Sequence, residues 1–226
     1  PRHALVLLAL VGSRNSDLSA YDSAKYASLQ GYADDLLEVL DATTREPVIF
    51  VGHSVSAMIG LLADLAAPGR IAAHIMVGPS PCYTNEGDYH GGFTRQDIDS
   101  LLEALEANYL GWSSNMAPAI MGAPGKPELS EELTNSFCRT DPEIARQFAR
   151  VTFLSDLRAD LPRLATPTLI LQCTDDMIAP TSVGEYMHRV LPASTLRLIE
   201  NVGHCPHLSA PSASAQAMDE FLAGLR

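Results

Sequence analysis

The chain has 226 residues, a formal net charge of −12, 46% hydrophobic residues and a mean hydropathy of +0.05. That length can bury a sizeable core, as one domain or as one domain carrying an insertion. The acidic balance argues against nucleic acid and anionic membrane as partners, and no apolar run reaches the roughly 20 residues of a membrane helix.

His3 to Val11 is a near-continuous apolar run, the pattern of a parallel strand covered on both faces. No signal-peptide cleavage pattern follows it. Pro1 in place of methionine, with a strand so soon after it, predicts a processed or partial sequence. Gly12 to Asp17 reads as a polar loop. Leu29, Tyr32, Ala33, Leu36, Leu37 and Leu40 fall at helical spacing. Val48 to Val51 reads as a short buried strand, a helix follows over Ala57–Ala66, and Ile71 to Val77 is another strand. This alternation predicts an α/β fold with a mostly parallel sheet flanked by helices.

The rhythm stops at Gly78-Pro79-Ser80-Pro81. From there to about Ala165 the pattern gives helices and loops. Thr94 and Asp97 have capping-box spacing and open a helix predicted to run through Leu110. Asp141-Pro142-Glu143 sets a cap, a first-turn proline and an acid ahead of a helix to about Leu154. Residues 79–165 read as a helical lid inserted into a core made of 1–78 and 166–226. The rhythm resumes with a strand over Pro167–Cys173, a helix over Ser182–Leu191 with Ser182 and Glu185 at capping-box spacing, a last strand over Ser194–Glu200, and a closing amphipathic helix over Ser212–Leu225.

Ligands of open α/β sheets bind beyond the carboxyl ends of the strands. Three polar motifs fall there. The first is Gly52-His53-Ser54-Val55-Ser56, a serine at a strand–turn–helix bend with a small residue two places to either side. That is close to the G-x-S-x-G nucleophile elbow, with Ser56 in the place of the second glycine. Taken alone, the motif fits an activated nucleophile and a simple helix N-cap about equally. The second motif, Asp175-Asp176, follows the strand that ends at Cys173, and the third, Gly203-His204-Cys205-Pro206-His207, follows the last strand. The order Ser, Asp, His is that of α/β-hydrolase triads and favours the nucleophile. His204 then supplies the base that a serine needs, Asp175 and Asp176 compete to orient it, and the N–H of Val55 at the start of the helix faces a developing oxyanion. His53 points away from Ser54 and shapes the pocket beside it. A metal reading of His204, Cys205 and His207 lacks a fourth nearby ligand. The four cysteines form no C-x-x-C pair, so neither zinc nor a disulfide framework is signalled, and a reducing cytoplasm fits them.

The motifs around Gly52–Gly60, Val77–Tyr83, Gly91–Phe93, Ala145–Ala149 and Gly203–His207 resemble the RsbQ-like stress-regulator hydrolases and the karrikin and strigolactone receptors of the α/β-hydrolase superfamily. The resemblance implies a four-helix lid, a triad of Ser54, Asp176 and His204, and a small apolar pocket lined by Phe93, Trp112 and Phe153. It implies no cofactor. In the bacterial relative it implies a PAS-domain phosphatase as partner. It also implies earlier strands, with a loop supplying a second oxyanion N–H, that would precede Pro1. The function expected is hydrolysis of a small apolar ester or lactone, in stress signalling. The alternative is a ligand-binding sensor with slow or no turnover that engages a protein through the lid.

Overall fold

A computed structural model describes residues 4–13 and 16–225. Four strands, β1 (Val48–His53), β2 (Ile71–Val77), β3 (Thr168–Asp175) and β4 (Ser194–Val202), pair in parallel in the order β1-β2-β3-β4. Helix α1 (Leu29–Thr43) precedes β1 and α2 (Val55–Ala66) joins β1 to β2. Four helices lie between β2 and β3: α3 (Arg95–Ala107), α4 (Tyr109–Met121), α5 (Pro127–Cys138) and α6 (Pro142–Phe153). Then α7 (Thr181–Val190) joins β3 to β4, and α8 (Pro206–Ser209) and α9 (Pro211–Gly224) close the chain.

The strand period of two divides the sheet between two cores. Met76 and Ile170 point into one that holds Tyr32, Leu36, Met58, Leu61, Val183 and Met187 of α1, α2 and α7. Ile75, Val77, Leu169, Leu171 and Ile199 point the other way, onto Ala217, Met218 and Phe221 of α9. A third cluster, with Ile98, Leu102, Leu105, Tyr109 and Met121, belongs to the inserted helices and reaches the strand ends through Tyr83, Ile178 and Cys205. Near the centre of the sheet the His74 imidazole and the Asp64 carboxylate, both buried, meet at 3.0 Å.

Three expectations need correction. Residues 4–10 form no strand, and Leu5 and Leu7 are 82% and 93% exposed. A parallel strand exists only through the ladder to its neighbour, and β1 pairs with β2 alone among the described residues. His3, and Arg14 and Asn15 of the loop that follows, lie outside the described residues. The helix opened by Thr94 stops at Ala107 rather than Leu110, because Asn108 turns to an extended φ and accepts from Gly111 N–H to start α4. Ser182 makes no capping box. Pro180 is the N-cap of α7, and the Ser182 hydroxyl donates to the His90 carbonyl instead. The Thr94–Asp97 box and the Asp141 cap do form, with both reciprocal bonds in the first and two backbone N–H groups on Asp141 in the second.

Candidate active site

The bend after β1 puts Ser54 at φ 56°, ψ −128°, the only positive φ at a non-glycine residue among those described. Such backbone costs about 1–3 kcal/mol and persists only where its surroundings impose it. Here Ser54 N–H donates to Val77 O at 2.8 Å, and Ala57 N–H donates to Ser54 O at 3.0 Å. Gly52 is small because a Cβ there would lie 2.6 Å from the Ala57 nitrogen. Val55 is the first residue of α2, so its N–H is one of the first-turn donors left without a partner inside the helix, at the positive end of the dipole.

The β3 end supplies Asp176. One carboxylate oxygen accepts Ile178 N–H at 2.9 Å and Ala179 N–H at 3.1 Å, which pins the loop around it. The other oxygen is 2.7 Å from His204 Nδ1. Asp175 is exposed, and its main-chain carbonyl takes Gly203 N–H at 2.7 Å. The last loop turns at Gly203 with φ 100° and brings His204 Nε2 within 2.8 Å of Ser54 Oγ. A carboxylate accepts only, so Nδ1 carries the ring proton, Nε2 presents its lone pair and the Ser54 hydroxyl donates to it. Asp176 and His204 are both buried. Gly78 leaves room for the ring, since a Cβ there would be 3.1 Å from His204 Cε1.

No group of three His, Cys, Asp or Glu among the described residues is placed to hold a metal ion. Burial, with the neighbouring His204 and His207 rings, holds the His53 imidazole well below the ordinary histidine value. His207 is lowered by burial and by His204. Burial pushes the Cys205 thiol up to about 12.

Ser54 and His204 open onto a cavity of about 940 Å³. Its walls are mainly apolar, with Leu105, Trp112, Ile120, Phe148 and Phe153 from the inserted helices and Leu7 to Val11 from the N-terminal segment. Trp112, Phe153 and His53 are on the wall, but Phe93 is not. Its backbone is tied to Tyr83 and Asn85, and its ring sits edge-on behind Phe153 at 6.3 Å, one layer out. Sequence reasoning missed two residues. Gln172, fully buried on β3, donates to the Ala179 carbonyl and lies 3.5 Å from the Asp176 carboxylate. A lone buried glutamine in an apolar strand was the available signal. Tyr83 lines the cavity beside Ser54; burial raises its phenol to about 12 while the Ser54 hydroxyl opposes that rise. It ends the Val77–Tyr83 motif that carries the resemblance, but nothing in that motif assigns it a place in the cavity.

A family model described as "Alpha/beta hydrolase family" matches residues 2–217. Among curated proteins, "Strigolactone esterase D14" of Arabidopsis thaliana is 38% identical over 222 residues, which cover 98% of this chain and 82% of that protein. "Karrikin insensitive 2 receptor CA" of Petunia hybrida is 35% identical, over 92% of this chain and 78% of that protein. Among solved structures, a hydrolase from Oleispira antarctica is 41% identical with a TM-score of 0.89, over 93% of this chain and 78% of that one.

Proposed function

The chain belongs to the α/β-hydrolase family, and from that premise we propose that it is a serine hydrolase cleaving a small, largely apolar ester or lactone. In this reading Ser54 Oγ attacks the carbonyl carbon while His204 Nε2 takes its proton. Asp176 holds the imidazole in the Nδ1–H tautomer and stabilises the imidazolium. Val55 N–H, at the head of α2, donates to the oxyanion. His204 then protonates the leaving oxygen, and a water activated by the same base releases the acid. The observation that carries the reading is the unbroken chain Asp176–His204–Ser54, 2.7 and 2.8 Å per link, at the ends of β3, β4 and β1. The apolar cavity supports a substrate of low polarity, and the similarity to Strigolactone esterase D14 supports an ester or lactone bond. Residues 79–165 act as a lid over a core of 1–78 and 166–226, with Trp112, Phe153 and His53 against the substrate.

Intact-mass analysis after treatment with a fluorophosphonate tests this. One adduct on the wild type and none on Ser54→Ala is expected. Equal labelling of both, or none on the folded wild type, overturns it. A second reading, a ligand sensor that engages a protein through the lid, draws on the similarity to Karrikin insensitive 2 receptor CA. It requires a ligand-dependent protein partner that survives Ser54→Ala.

A further inference from the structure

His53 makes a hydrogen bond that the reaction above does not use. It ends β1, directly before Ser54, and its Nε2 lies 2.8 Å from the main-chain carbonyl of His204, 151 residues away in the chain. A carbonyl only accepts, so His53 Nε2 bears the proton and donates it, and Nδ1 is left bare. Several neighbouring main-chain groups of this loop are held elsewhere. Gly203 N–H goes to Asp175 O and His204 N–H to Ile120 O, both at 2.7 Å, and Cys205 O accepts Leu208 N–H and Ser209 N–H at 3.0 Å. The His204 carbonyl has His53. His204 is therefore gripped at both ends of its own backbone, by the end of α4 through its N–H and by the strand bearing Ser54 through its carbonyl.

We propose that His53 is a positioning residue, clamping the loop that bears His204 against the strand end that bears Ser54 and so setting the distance from His204 Nε2 to Ser54 Oγ. The proposal rests on the reading of His204 as the base. A histidine suits the task because its ring is rigid and donates while neutral. The His53 ring centroid is 4.9 Å from that of His204 and 4.6 Å from that of His207, and Cys205 Sγ is 3.9 Å from His53 Nε2. A cationic side chain at this place would repel the imidazolium that His204 becomes during turnover. The depressed pKa of His53 agrees with the neutral form.

His53→Phe keeps the ring and removes the donor; His53→Gln returns an amide N–H near the Nε2 position. With p-nitrophenyl acetate, His53→Phe is expected to lower kcat about 10–100-fold, with KM changed by less than about twofold, since displacing a reacting group by an ångström costs that much. His53→Gln is expected to recover about fivefold or more of that loss. A loss of packing alone would lower Tm and leave kcat of the folded enzyme in place. Nitrogen-15 NMR of the wild type gives a reading that no variant's folding affects: His53 is expected as the Nε2–H tautomer. An Nδ1–H tautomer, a His53→Phe kcat within about twofold of wild type, or a Gln variant no better than Phe overturns the clamp. Absence of a fluorophosphonate adduct on the wild type would overturn the hydrolase reading beneath it. An adduct on the wild type with an unaffected His53→Phe overturns the clamp alone.

Discussion

Ser54 is held in a backbone conformation that few residues other than glycine accept. The elbow lifts its hydroxyl off the strand end, and the helix that follows turns its first N–H groups toward the same point. Asp176 is bound by two backbone N–H groups on one oxygen, which leaves the other to face His204. Replacing Asp176 by Asn keeps those backbone contacts and removes the charge that selects the Nδ1–H tautomer. Asp176→Asn is expected to lower kcat by about 10⁴, as that exchange does where the carboxylate governs tautomer and imidazolium. Steady-state kinetics on protein with an unchanged Tm checks it.

At the scale of elements, α2 does two tasks. Its N-terminus faces Ser54, and its body is anchored to β2 by the buried Asp64–His74 bond. Removing one member of such a pair leaves a polar group stranded in the core. His74→Leu is expected to cost about 3–5 kcal/mol, and Asp64→Asn/His74→Leu to recover part of it, measured by urea unfolding. The α4 end meets the His204 loop backbone to backbone: at Gly203 a Cβ would overlap the Met121 carbonyl, and at Gly122 it would lie 2.7 Å from Gly203 Cα. The inserted helices thus do more than cover the cavity, since Ile120 O also takes the His204 N–H.

For the whole molecule, the cluster around His53 and His207 sets a pH dependence. Both imidazoles are held below their ordinary value, chiefly by burial. The unfolded chain therefore binds protons at these two positions that the folded protein refuses, and stability rises with pH in that range. It is complete above the unfolded histidine value of about 6.5 and is lost as the pH falls below that, toward the lowered folded values. Urea midpoints measured from pH 7.5 to 5 are expected to fall, and to fall less steeply in His53→Phe. An equal slope in the two proteins counts against His53 as a contributor.

The strand–helix rhythm, the break at Gly78, the elbow and the chain order of Ser54, Asp176 and His204 were legible because each is a local pattern: an apolar period, a small residue beside a bend, a polar motif after a strand. The Thr94 box and the Asp141 cap were legible for the same reason. What needed the tertiary structure is everything set by a neighbour. Leu5 to Leu10 has the composition of a strand yet no ladder, since a strand is a relation between two segments. Ser182 has the spacing of a cap, but it lies inside α7, two residues past the Pro180 cap, and its hydroxyl donates to the His90 carbonyl. Phe93 sits a layer behind the wall that Phe153 forms. Residue type and order left Asp175 and Asp176 open and the family resemblance named Asp176; the fold turns Asp175 to solvent and Asp176 to His204. Only the fold joined His53 to the carbonyl of a residue 151 places away, because hydrogen bonds between distant segments leave no periodic trace in the chain.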